Sequence, residues 1–340
     1  MGVLRITLAL IVMITHLVHF SPSGTYAVFG FYIISGYLMT LIMHESYGYT
    51  FEGRSRYLIN RILRLYPQYW CSLLFTILLI DFIGFSGVLR FNSIIFIPYS
   101  YETWASNISM VFLKSSPTYV PRLIPQAWTL TIEMFFYLLI CIGISKTFNR
   151  TQLWFAASVI YTIAALSLEL NRYNGLMASS LPFSIGALIY YLPKSKLPAI
   201  PLFILMVVNC YLWTLYPKAI FGFYINILIC AFLVSSLTRG TFVSESLDKR
   251  LGDLSYPVYL LHFSVGMLVS ELVFGQPLHE HSFRGFINLV ISLFFIYGLS
   301  SLFIKYVDQP IQTIRTRIKH ANKRRIDRSP TETTDIRCVV

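Results

Sequence analysis

Arg5 and His16 share the first apolar stretch of the chain, eleven residues apart, with no charge between them. Eleven residues is close to three α-helical turns, so both side chains leave one face of a helix, about 16 Å apart along its axis. A guanidinium near the end of an apolar helix and an imidazole deep along it are costly to bury. Ionisable groups so placed usually line a cavity that serves function. A neutral imidazole in such a setting can act as a general base near pH 7. The plainer alternative is a histidine bonded to a neighbouring helix for packing. His19 lies on a nearby face and is either a partner or a bystander.

Two other groups could join this pair. Arg61 and Arg64, in Arg61-Ile62-Leu63-Arg64-Leu65-Tyr66-Pro67, follow Arg54 and Arg56. Their spacing of three puts both on one helical face, and guanidinium groups bind phosphate through paired hydrogen bonds. An ordinary topology signal against lipid headgroups would look the same. Glu133, in Trp128-Thr129-Leu130-Thr131-Ile132-Glu133, is a carboxylate inside another apolar segment, at a depth where it can meet His16 across a bundle. Weaker candidates are Ser35-Gly36-Tyr37, which suits close helix packing around glycine, and His262, which can line a cavity. Asp81 and Glu271 lie near the ends of apolar segments. His279, Glu280 and His281 read as a solvated loop rather than a metal site.

The elements that must position these residues follow from composition. The 340 residues are 56% apolar and only 12% charged, about half the charge of ordinary soluble domains. That composition indicates a membrane protein, and the long unbroken apolar runs favour helices over a β-barrel. We read an all-α polytopic bundle of about ten transmembrane helices, near 3–20, 26–43, 66–85, 127–144, 153–170, 175–191, 200–215, 220–237, 254–274 and 286–307. With the N-terminus in the cytoplasm, every one of the 27 Lys and Arg residues falls inside except Arg90, Lys114, Arg122, Arg172, Lys218 and Arg284. The positive-inside rule therefore places both termini in the cytoplasm. The first apolar run has no cleavage site and is expected to stay as a span. The net charge of +12 reflects cytoplasmic loops and anionic lipid, not nucleic acid. The five cysteines show no metal-ligand spacing. Residues 86–126 form a long aromatic-rich external loop. Residues 1–310 read as one membrane domain, and residues 311–340 as a basic cytoplasmic tail with no apolar period, expected to be disordered or on the membrane surface.

Taken in order, these motifs resemble the acyltransferase-3 family of integral membrane acyltransferases, many of which O-acetylate bacterial surface polysaccharides. Arg5 and His16 fit its Arg–ten residues–His signature, and Phe31 to Leu38 resembles its Phe-Phe-x-x-Ser-Gly-Phe-Leu segment. Arg61-x-x-Arg64-x-Tyr66-Pro67-x-Tyr69 resembles its arginine-rich entrance, and Trp128 to Tyr137 its Trp-Ser-Leu-x-x-Glu-x-x-Phe-Tyr motif. Leu251 to His262 and Asp308-x-Pro310 resemble its last landmarks. The family's acid and second glycine around the first arginine are missing here, and Asp308 stands where Glu is more usual.

The resemblance implies a bacterial inner-membrane enzyme. Its donor is a cytoplasmic acyl-CoA, acetyl-CoA above all, with no metal, and its acceptor is a hydroxyl of an envelope glycan, lipid-linked or polymeric. Arg5, Arg61 and Arg64 face the donor's phosphates. His16 accepts the hydroxyl proton or carries the acyl group, and Glu133 orients the imidazole or the acceptor. Ser35, Tyr37, Trp128, Tyr137 and His262 line the acceptor's path. The competing readings are a transporter or flippase of glycan intermediates without covalent chemistry, and a scaffold that works through its basic tail.

Overall fold

A computed structural model of the chain describes residues 1–18, 23–112, 122–170, 173, 175–216, 220–276 and 281–326. Among these the regular elements are all helical. In chain order they are α1 Gly2–Val18, α2 Gly24–Ile42, α3 Phe51–Ile83, α4 Phe85–Phe91, α5 Tyr101–Ser109, α6 Trp128–Ile142, α7 Phe148–Ser167, α8 Leu176–Tyr191, α9 Ala199–Leu215, α10 Ile220–Leu237, α11 Glu245–Phe274, α12 Phe283–Phe303 and α13 Gln309–Ile326. A π-helical turn, Met43–Tyr47, extends α2, and a second, Ile304–Asp308, joins α12 to α13.

Polar side chains set several starts. Thr50, Thr147, Ser244 and Ser282 each accept a backbone N–H from the first turn of α3, α7, α11 and α12. Among the described residues, each of the ten apolar segments seen in the sequence overlaps one main helix. Five helical segments are long and apolar enough to cross a membrane: Gly24–Tyr47, Phe51–Ile83, Pro125–Ile142, Glu245–Phe274 and Phe283–Lys319. Gly2–Val18, Leu176–Tyr191, Ala199–Leu215 and Phe221–Leu237 are apolar but shorter.

Contacts fix the relative directions of the helices. α1 and α11 run parallel: the N–H of Val3 donates to Asp248 at one end, and Leu17 packs on Gly266 at the other. α3 runs with α11, since Tyr256 bonds the Leu65 carbonyl and Thr76 meets Ser264. α2 runs against α1, with Gly30 on Leu8 and Gly24 on Thr15. α6 follows the direction of α2, through Ser35–Glu133 and Thr40–Ser145.

α8 also lies along α2, in close backbone contact. A Cβ on Gly36 would lie 2.2 Å from the Phe183 carbonyl oxygen, and one on Gly186 2.1 Å from that of Ile33. Only glycine lets these two backbones meet. Close packing was thus one correct reading of Ser35-Gly36-Tyr37.

The described part of the long loop packs on α3. Tyr66, Tyr69 and Trp70 of α3 donate to the carbonyls of Ser109, Asn107 and Ile108, tying α5 to α3. Arg122 is buried there over the Phe112 ring. Loss of water pushes its pKa down to about 10, against a smaller upward pull from Tyr69.

The largest departure from expectation is α13. The sequence suggested a tail from residue 311 that is disordered or on the membrane surface; the structure has Gln309–Ile326 as a helix packed on α3. Residues 327–340 lie outside the described residues. A polar stripe does the docking. Asn60 donates to the Arg315 carbonyl at 2.9 Å and accepts from Arg315 Nε at 3.1 Å, while Asp308 pairs with Arg64 at 3.0 Å and lies 3.8 Å from Arg315.

Candidate active site

A cavity of about 300 Å³ lies among α1, α2, α3, α6, α11 and α13. Four guanidinium groups line it, from Arg5, Arg61, Arg64 and Arg315, against two carboxylates, Glu133 and Asp253. Among the described residues Arg5 and Arg61 have no carboxylate within ion-pairing distance, whereas Arg64 and Arg315 share Asp308. The surplus of positive charge suits an anion with several phosphate oxygens. A second cavity of about 220 Å³ shares Ile42, Arg61, Gln312 and Arg315 with the first and adds Asn60 and Lys319. The basic surface therefore continues along α13.

Helical periodicity explains the grouping. Arg61 and Arg64 lie one turn apart in the first half of α3, as their spacing implied, and Arg5 reaches them from the first turn and a half of α1. Asp308, Gln312, Arg315 and Lys319 recur every three or four residues, so α13 turns one polar stripe toward the basic wall. Asp308, 3% exposed, holds the Arg64 guanidinium, so this landmark positions an arginine.

Glu133 lies in the same cavity. Its Oε1 accepts from Ser35 Oγ at 2.5 Å and from the Tyr137 hydroxyl one helical turn away. The structure thus brings Ser35 and Tyr137 to the cavity wall with Glu133. These bonds do not run to His16, so the expected contact of Glu133 with the imidazole is not formed. Glu133 is closer to the arginine end of the bundle, because α6 enters past Trp128 and Gln126 at the level of Tyr259.

His16 sits farther along α1, beyond the cavity wall. Tyr259 is the last α11 residue on that wall and touches Phe31 of α2 edge to face at 6.0 Å. One turn farther is His262. His16 Nδ1 lies 2.8 Å from His262 Nε2, the rings are nearly coplanar at 16°, and Phe263 stacks on His16 at 4.6 Å. His262 is 0% exposed, and its Nδ1 lies 2.8 Å from the Tyr259 carbonyl oxygen.

His262 is accordingly not a wall residue of the cavity, as the sequence reading had it, but the neighbour of His16. Tyr37 and Trp128 are off the wall too. The backbone nitrogen of Tyr37 lies against Gly186 of α8, and Trp128 meets Tyr173 edge to face at 5.2 Å. Among the described residues no group of three or more His, Cys, Asp and Glu is placed to hold a metal. His19, His279 and Glu280 lie outside the described residues.

Sequence reasoning missed Arg315, Asp253, Tyr256 and Tyr259 on the wall. Arg315 had a signal in the polar period from Asp308 to Lys319, which a search for apolar stripes passes over.

A family model described as an acyltransferase domain matches residues 1–307. No curated protein and no solved structure matches the chain.

Proposed function

The chain belongs to the acyltransferase-3 family, and on that premise we propose that it is a membrane O-acyltransferase. It moves an acyl group, acetyl above all, from a cytoplasmic acyl-CoA to a hydroxyl of an envelope glycan at the bacterial inner membrane. The observation that carries this reading is the convergence of Arg5, Arg61, Arg64 and Arg315 on one cavity that extends along α2 from Ile42 to Val28. The alternating helix directions suit ten crossings with both termini on the cytoplasmic side, which puts the arginines at the cytoplasmic mouth.

In this reading the donor's phosphates lie among the guanidinium groups and its acyl arm runs toward His16. The acceptor enters from the opposite face. His16 takes the hydroxyl proton as the oxygen attacks the thioester carbonyl. The C–S bond then breaks, and the CoA thiolate leaves with the proton. Ser35, Tyr137 and Glu133 form a polar group beside the arm. Because the wall reaches no farther than Val28 and Tyr259, and Tyr259 stands one turn short of His262, transfer requires the Phe31 and Tyr259 rings to part when the donor binds.

The test is label transfer from radiolabelled acetyl-CoA in membranes that contain the acceptor glycan. His16→Ala is expected to insert normally and to lower transfer by at least about 10²-fold. Full ester formation in that variant, or movement of glycan across the membrane without label transfer, would overturn the reading.

A further inference from the structure

Two imidazoles share a hydrogen bond 246 residues apart in sequence, and the partners around them decide which nitrogen carries which proton. A backbone carbonyl can only accept. The 2.8 Å contact of His262 Nδ1 with the Tyr259 carbonyl oxygen therefore requires a proton on Nδ1. The opposite tautomer would set a nitrogen lone pair against an oxygen lone pair at that distance. The carbonyl is held in turn, because Gln126 Nε2 donates to it at 2.7 Å and to the next carbonyl, Leu260, at 2.9 Å.

With its proton on Nδ1, neutral His262 presents a lone pair at Nε2. His16 Nδ1, at 2.8 Å in nearly the same plane, must then be the donor. A neutral His16 that carries its proton on Nδ1 has its lone pair on Nε2. Gln126 and His262 thus both donate to the Tyr259 carbonyl, and His16 donates to His262.

We infer that His262 is a positioning residue that fixes the tautomer and ring plane of His16, so that Nε2 is the atom that accepts the acceptor hydroxyl's proton. The inference rests on the acyltransferase reading of His16. It assigns to a second histidine the part that a carboxylate plays in many nucleophile–base pairs. Glu133 makes no such bond; its Oε1 accepts from Ser35 and Tyr137. In the reaction the proton leaves the hydroxyl for His16 Nε2 as the new C–O bond forms. The same nitrogen returns it to the departing thiolate. Through both steps the Nδ1–H···Nε2 bond to His262 stays made, and it strengthens when His16 is charged.

Solid-state NMR of the full-length protein in lipid, labelled with ¹⁵N,¹³C-histidine, reads the tautomers directly. The His16 and His262 signals are assigned by their loss in His16→Ala and His262→Phe. Both residues are expected as the Nδ1–H form. Finding His16 in the Nε2–H form in the unaltered protein would overturn the inference without reference to any variant.

Kinetics give an independent readout. His262→Phe keeps a ring beside His16 but removes the acceptor, and is expected to lower kcat on the order of 10²-fold or more while the KM for acetyl-CoA changes little. His262→Gln, whose amide oxygen can accept from His16 Nδ1, is expected to recover at least about tenfold of that loss. Unchanged kcat in His262→Phe would sink the positioning role, as would failure of His262→Gln to exceed it while folded. Full activity in His16→Ala would instead sink the acyltransferase assignment of His16, whatever the tautomer proves to be.

Discussion

Glu133 shows how a residue's type and its partners together limit its role. A carboxylate in an apolar segment needs hydrogen-bond donors, and Ser35 and Tyr137 both donate to one of its oxygens. It faces a cavity that holds Arg5, Arg61 and Arg64, so its charge offsets theirs. We expect Glu133→Gln, which keeps an oxygen for the same donors but drops the charge, to leave acetyl-CoA binding intact or tighter, because the basic wall loses a counter-charge. We expect kcat to fall by about 10²-fold, because the arm or the acceptor is then held less well. Steady-state kinetics with acetyl-CoA varied separates the two effects. An unchanged kcat with an unchanged or lowered KM would make Glu133 only a counter-charge to the arginines.

The element whose role changes most is α13. Its docking uses Asn60, Asp308 and Arg315 rather than an apolar face, and it brings Arg315 and Gln312 to the cavity. We expect Arg315→Ala to raise the KM for acetyl-CoA about tenfold or more, the worth of one charge-assisted hydrogen bond to phosphate. Arg317, two residues on and exposed, serves as the control and should be neutral when changed to Ala. Removing residues 327–340 should leave donor binding intact, whereas removing 309–340 should abolish it. Equal binding by both truncations would show that α13 takes no part in the site.

At the scale of the whole molecule, helix direction is the informative quantity. α1, α3 and α11 point one way, and α2, α6 and α8 the other. That pattern is what ten alternating crossings produce, with each short apolar helix counted as one. In a background without native cysteines, Lys196→Cys between α8 and α9 should react with a membrane-impermeant thiol reagent only after the membrane is opened. Arg284→Cys at the start of α12 should react in intact cells. Labelling of both from the same side would remove the ten-crossing topology, and with it the placing of the arginines at the cytoplasmic mouth.

What the sequence determined by itself was whatever depends on neighbours a few residues away. Apolar runs had to become helices, since a low-dielectric surrounding leaves the backbone no other way to satisfy its hydrogen bonds. Arg5 and His16, like Arg61 and Arg64, had to share faces because helical periodicity is local. The family motifs gave the order of the landmarks along residues 1–307. What only the tertiary structure decided were partnerships across long stretches of chain: His16 with His262, Glu133 with Ser35, and Asn60 with Arg315. Their cause is the packing of α1 along α11, of α2 beside α6, and of α13 on α3. Those registers come from steric fit at a few small residues and from paired polar groups, and no spacing within one segment encodes them.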